Sequence, residues 1–308
     1  MSRRFAYLFP GQGSQYVGMG QQLYENYPEA REVFAQADDT LGLLLSELCF
    51  RGPAEALDDT VNTQPAILTT SVAVLRVLER QGPEDPTVVA GHSMGEFSAL
   101  VACGALSFQE GLELVRERGR LMKQSGDQSP GGMAAVLGLD RERLEEACAI
   151  ARERTDGYVG IANDNCPGQI VISGATTALG EAMEIAQGFG AKRVVRLAVS
   201  IAAHSPLMDE AAAAFRQRLD AALIREPDVP IVANATARPL TVPAAIRQAL
   251  GKQLTSPVRW TESVRWIVAQ GVECFVEVGP KNVLTGLVRR IDRSVGRVTT
   301  AEALGQGL

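Results

Sequence analysis

Apolar and polar positions along the 308-residue chain follow two alternating periods, and the changes between them mark out its elements. Residues 5–9 form a continuous apolar run, read as a short buried strand that breaks at Pro10-Gly11. Helical spacing follows over 17–49 and 64–81, then the apolar run Val88-Val89-Ala90, a helix from Glu96 through Cys103 and another over 107–125. From 130 to 198 the pattern changes. A strand at Met133–Leu137, an amphipathic helix over 140–154, strands at Tyr158–Asn163 and Gln169–Ser173, a helix over 176–189 and a strand over 192–198 give β-α-β-β-α-β, the ferredoxin-like order. Ser125–Gly132, rich in Gly and Ser, reads as the linker into this segment. The first pattern then resumes, with a helix over 206–223, a strand over 229–234, helices over 243–253 and 260–270, a strand over 273–278 and a helix over 281–291. The expectation is a parallel α/β core built from 1–127 and 199–308, interrupted by a unit at 128–198.

Residues 91–96, Gly-His-Ser-Met-Gly-Glu, sit between an apolar strand and a helix. That is a nucleophile elbow: G-x-S-x-G on a turn too tight for side chains beside the serine, with Ser93 presented at the top of the sheet. The Met94 N–H, at the start of the helix, falls where an oxyanion would form. The Gly-rich loop Pro10–Gln15 fails as a dinucleotide fingerprint, because Tyr16 stands where a third glycine belongs. It is read instead as a second source of backbone N–H groups for an oxyanion.

A serine nucleophile needs a base, and the chain has two histidines. His92 precedes the serine on the elbow and points away from it. His204 remains, in Val199-Ser200-Ile201-Ala202-Ala203-His204, read as a strand running out into a loop. On the helix over 111–124, projected at about 3.6 residues per turn, Gly111, Leu114, Val115, Arg118, Leu121 and Met122 share one face. Arg118 is the lone charge on that stripe. Its partner is either an internal carboxylate or the carboxylate of a substrate in the pocket served by Ser93.

Composition narrows the setting. With 46% hydrophobic and 21% charged residues the chain is an ordinary globular protein, and a net charge of −6 gives no support for nucleic-acid binding. Five scattered cysteines without a C-x-x-C pair argue for reduced thiols in the cytoplasm rather than a disulfide frame, and two histidines argue against a histidine metal centre. Met1-Ser2-Arg3-Arg4 leads directly into the first strand, so no leader is expected, and no apolar run approaches the ~20 residues of a membrane span. The run Arg289-Arg290-Ile291-Asp292-Arg293 reads as a solvated helix end.

Taken in order, Gly11–Gln15, Gly91–Glu96, Arg118 and Val199–Met208 resemble the malonyl-CoA:acyl-carrier-protein transacylases and the related polyketide synthase acyltransferase domains. Asn62–Ala66, Asn163–Gly174, Gln253–Trp260 and Glu277–Pro280 extend the likeness from Phe5 to about Ile291. The resemblance implies an α/β hydrolase-like core with a parallel sheet and an inserted ferredoxin-like subdomain. It implies Ser93 as nucleophile, His204 as base, the Gln253 carbonyl as the group orienting the imidazole, and the N–H groups of Gln12 and Met94 as oxyanion hole. It implies Arg118 as receptor for a malonyl carboxylate, with Gln64, Met122, Ala203 and Asn163 around the substrate. No cofactor is expected beyond malonyl-CoA and the phosphopantetheine of an acyl carrier protein, and a monomer is the default. Ala203 departs from the Phe or Ser common at that position, which widens the wall beside the acyl α-carbon.

Rival readings carry separate signatures. An esterase or thioesterase of the α/β-hydrolase type places its histidine late, whereas about a hundred residues follow His204. A patatin-like lipase would recruit Asp156-Gly157, which falls in the inserted unit. A docking module without activity would lack Ser93, His204 or Arg118. A proofreading acyl hydrolase of a polyketide pathway keeps the Ser and His and tends to lose the Arg.

Overall fold

In the computed structural model, residues 4–82 and 85–305 are described. Met1–Arg3, on which the absence of a leader was argued, lie outside them. The chain opens with β1 (Phe5–Phe9) and passes through α1 (Gln21–Asn26), α2 (Pro28–Leu41), α3 (Leu45–Arg51), α4 (Ala54–Asp58) and α5 (Thr60–Arg80). It continues into β2 (Val88–Gly91), α6 (Gly95–Ala102) and α7 (Phe108–Gln128). A second unit follows: β3 (Gly131–Leu137), α8 (Arg141–Thr155), β4 (Val159–Cys166), β5 (Gln169–Ala175), α9 (Thr176–Gly188) and β6 (Arg193–Arg196). A 3-10 turn at Pro206–Met208 leads to α10 (Asp209–Ala221), β7 (Ile231–Val232), β8 (Pro239–Leu240) and α11 (Pro243–Gln253). The chain ends with α12 (Trp260–Ala269), β9 (Cys274–Glu277), α13 (Val283–Ile291), β10 (Gly296–Val298) and α14 (Thr300–Ala303).

The first sheet runs β10-β9-β1-β2-β7-β8, parallel from β10 to β7 with β8 turned back antiparallel. Helices cover both faces, so β1 sends Tyr7 and Phe9 into one core and Ala6 and Leu8 into the other. That is why the strand reads as an unbroken apolar run. The second sheet runs β4-β5-β3-β6, all antiparallel, and packs one face on α8 and α9. β4 of the second sheet joins the loop between α11 and α12, where the backbones of Ala162 and Asp164 bond to Val258, with Asn163 pairing beside it.

Several boundaries differ from the sequence expectation. The helix expected over 17–49 is three helices, interrupted at Tyr27, which precedes Pro28, and at Gly42, whose φ of 61° closes α2. The helix expected from 64 begins at Thr60, because the Asp59 side chain caps it through the Val61 N–H. Ser125–Gly132 is not a linker but the end of α7 and the start of β3. The strand expected over 192–198 stops at Arg196, and no strand carries Val199–Ala203. Leu197, Val199, Ile201 and Ala203 keep the period of a strand because alternate side chains face a cavity rather than a sheet core. The strand expected over 229–234 is only Ile231–Val232, and β10 and α14 went unread.

Candidate active site

The elbow is built by close backbone approach. A Cβ on Gly91 would lie 1.9 Å from the Gly95 carbonyl oxygen, and one on Gly95 would lie 2.2 Å from that of Phe9. Only glycine fits either position, and between them Ser93 is held at a φ of 52°. Asn234, just past β7, fixes the turn: its Oδ1 accepts the Ser93 N–H at 2.6 Å and its Nδ2 donates to the Gly91 carbonyl at 2.6 Å.

The Ser93 hydroxyl lies 2.8 Å from His204 Nε2. His204 Nδ1 faces two carbonyls, Gln253 at 2.9 Å and Ser256 at 3.1 Å. Two acceptors on that side require Nδ1 to carry the proton, which leaves Nε2 bare to receive one from serine. Burial, with the nearby Arg118 charge, pushes the imidazole pKa down to about 3, so it is neutral at pH 7. His92 turns the other way, with Nε2 2.8 Å from Asn165 Oδ1 and its ring edge-on to Trp260.

Arg118 projects from α7 and is 1% exposed. Its Nη1 donates to Gln64 Oε1 at 2.7 Å and reaches Met122 Sδ at 3.2 Å. Its Nη2 donates to Ser93 Oγ at 3.1 Å and Gln253 Oε1 at 3.0 Å, and its Nε has no partner. Among the described ion pairs none involves Arg118, so the internal carboxylate expected as one alternative does not contact it. Burial lowers its pKa to about 10, which leaves a full positive charge among neutral donors and acceptors. The close approach of α7 to α5 brings Arg118 to Gln64, since a Cβ on Gly119 would lie 2.6 Å from the Thr60 carbonyl oxygen. Gln64 passes the network on through Thr60 Oγ1 to Gln12 Oε1.

A cavity of about 320 Å³ opens onto Ser93 and His204. Gln12, Met122, Asn163 and Ala203 line it, and the second sheet supplies an apolar wall through Met133, Ala135 and Val171. Neither the Gln12 nor the Met94 N–H is taken up by a carbonyl in the described turns and loops. The ten residues singled out from the sequence thus gather around one serine. Asp156, by contrast, ends α8 in the second unit. Asn234, Glu96 and the Gln253 side chain were missed as site residues. Glu96 stands in the elbow motif, and a charge on the first turn of so apolar a helix was the signal available.

Comparison with known proteins agrees with this geometry. The acyl transferase domain family matches residues 6–307. The malonyl CoA-acyl carrier protein transacylase of Bacillus subtilis is 46% identical over 299 residues, 97% of this chain and 94% of that one. The solved structure of an acyl carrier protein S-malonyltransferase from Vibrio cholerae superposes with a TM-score of 0.92 at 43% identity, covering 96% of each chain. A malonyl-transacylase solved in complex with a type II PKS acyl-carrier protein superposes at 0.95 with 40% identity, covering 98% of this chain and 97% of that one. The catalytic geometry and the full-length likeness lead to one conclusion: this chain belongs to the acyl transferase domain family and is an acyltransferase.

Proposed function

We propose that the chain transfers the malonyl group from malonyl-CoA to the phosphopantetheine thiol of an acyl carrier protein in fatty-acid biosynthesis, through a malonyl-serine. The observation that carries this reading is the buried guanidinium of Arg118, in direct contact with no carboxylate, beside the Ser93–His204 pair. A carboxylate placed there gains charge-assisted hydrogen bonds, whereas an acetyl group gains nothing. The relatives' names point to the same acyl group and acceptor.

In this reading His204 Nε2 takes the Ser93 proton as Oγ attacks the thioester carbonyl. The oxyanion is held by the N–H groups of Gln12 and Met94. Its collapse breaks the C–S bond, and the coenzyme A thiolate leaves with the proton from His204. The carrier thiol then gives its proton to His204, attacks the serine ester and departs with the malonyl group, and Ser93 recovers the proton. The Gln253 and Ser256 carbonyls stabilise the imidazolium formed in each half-reaction. Gln64 and Met122 brace Arg118, while Asn163 and Ala203 bound the acyl group. No cofactor is needed, because the thioester supplies the activation.

Residues 1–127 and 199–308 act as the catalytic core, and 128–198 as an inserted ferredoxin-like unit that walls the pocket. The enzyme works as a monomer in the cytoplasm, where its buried thiols stay reduced. The test is intact mass after brief exposure to malonyl-, methylmalonyl- and acetyl-CoA in turn, beside Arg118→Ala. Retained malonyl on Ser93, lost in the variant, is the expected result. Coenzyme A release with no retained acyl group overturns the reading in favour of a hydrolase. Acceptor assays should include fatty-acid and type II polyketide carriers, since a structural relative is bound to the latter.

A further inference from the structure

A buried carboxyl stands behind the site with no part in the transfer steps above. Glu96, on the first turn of α6, is 3% exposed. It accepts from Gln253 Nε2 and lies against the backbone of Asn234. Both partners are clamps of the reacting groups. Asn234 holds the Ser93 N–H and the Gly91 carbonyl. Gln253 takes the His204 Nδ1 proton on its main-chain oxygen and Arg118 on its side-chain oxygen, and its Nε2 also reaches the Ser93 carbonyl. One carboxyl therefore ties together the supports of nucleophile, base and guanidinium, which come from three distant stretches of chain.

The chemistry of the Gln253 amide makes this tie directional. An ionised carboxylate only accepts hydrogen bonds, so it must face the NH2 end of the amide. That leaves the oxygen end aimed at Arg118. A flipped amide would set NH2 donors against guanidinium donors. Glu96 thus fixes the amide in the one orientation that Arg118 can use. It also contributes a negative charge across the width of that amide, in a region with little solvent to screen it.

We propose that Glu96 is a positioning residue and the internal counter-charge of Arg118, acting through the Gln253 amide to hold the guanidinium in place and to weaken its grip on a substrate carboxylate. The inference rests on the malonyl reading above. An incoming malonyl carboxylate and Glu96 share a single cation, so ionised Glu96 opposes binding of a dicarboxylic acyl group and leaves an acetyl group indifferent. The charged side chain acting on Glu96 is Arg118 from α7, while burial holds His92 on the elbow and His204 before α10 neutral. Burial also pushes the Glu96 carboxyl up to about 7, which places its ionisation in a range that kinetics can follow.

The experiment measures KM and kcat for serine acylation from pH 5.5 to 8.5 with malonyl-CoA and acetyl-CoA, in wild type and Glu96→Gln. Acetyl-CoA cancels the titration of coenzyme A itself. The expected result is a malonyl-CoA KM that rises roughly tenfold as pH passes through about 7, with a flat acetyl-CoA KM. Glu96→Gln removes the rise and holds malonyl-CoA KM at its low-pH value, while kcat falls for both substrates because the Gln253 amide is no longer forced into one orientation. A wild-type malonyl-CoA KM that stays flat overturns the proposal, and needs no variant to fold. An unchanged KM in Glu96→Gln, with activity lost only in proportion to titratable sites, also overturns it and leaves a purely structural carboxyl. Absence of malonyl-serine in wild type would instead remove the underlying reading, so the two failures are distinct.

Discussion

At the scale of single residues, both members of the hydrogen-bonded Ser93–His204 pair have left-handed backbone: Ser93 at φ 52° and His204 at φ 60°. Non-glycine residues adopt that region at a cost of about 1–3 kcal/mol each, so the surroundings must hold them there. Asn234 does so for Ser93, and Asn234→Ala is expected to destabilise the fold by about 1–3 kcal/mol through the unpaired Ser93 N–H and Gly91 carbonyl. Urea unfolding measures that loss, and the rate of serine acylation should fall with it. The His204 pKa gives a second prediction. In the proposed reaction the base works while neutral, and its acid limb lies where the imidazole takes up a proton. With that point depressed far below 6.5, kcat/KM for acetyl-CoA in Glu96→Gln, which lacks the Glu96 titration, should hold steady as pH falls through 6. Arg118→Gln removes a cation that opposes imidazolium, so the limb should move to higher pH; a limb that stays put or moves down would contradict the assigned cause. Much at this scale was legible. The elbow spells out Ser93, scarcity selects His204, and a charge on an apolar stripe selects Arg118. The Gln253 side chain was not legible, because a glutamine at a helix end carries no pattern, and its role depends on folding contacts with Glu96 and Arg118.

At the scale of elements, α5 and α7 set the position of the guanidinium. They approach so closely at Gly119 that the side chain there is a hydrogen atom, one position after Arg118. Gly119→Ala must push α7 away from Thr60 and carry Arg118 off Gln64. The expected cost is about 1–3 kcal/mol of stability, with a larger rise in KM for malonyl-CoA than for acetyl-CoA. Equal changes for the two substrates would argue against α7 as the element that places the receptor. The sequence made α7 legible because its apolar stripe is continuous over five turns, and it gave the bounds of α11 as they stand. It misled at Val199–Ala203, where period-two alternation suggested a strand. Alternation reports only that successive side chains face different surroundings, and a cavity wall satisfies that as well as a sheet does.

At the scale of the whole molecule, the second sheet is stitched to the loop before α12 by backbone bonds between Val258 and residues 162 and 164, with Asp164 also gripping Thr261 and Arg141. Such ladder-like bonding across the seam predicts one unfolding transition rather than two. Amide exchange at Asp164 and Val258 should match the slowest amides of β1, and early exchange there would show that the second sheet opens by itself. Alternating strands and helices announced the α/β class, but no local pattern could give the order β10-β9-β1-β2-β7-β8, which depends on distant pairings. The seam has one more consequence. Ser93, His204 and Arg118 stand outside the second sheet, while β3 and β5 furnish a wall of the cavity onto which Ser93 opens. The reacting groups and the wall thus come from different parts of the chain, and substitutions at residues 133, 135 and 171 are expected to change which acyl group is accepted while leaving the Ser93–His204 hydrogen bond in place.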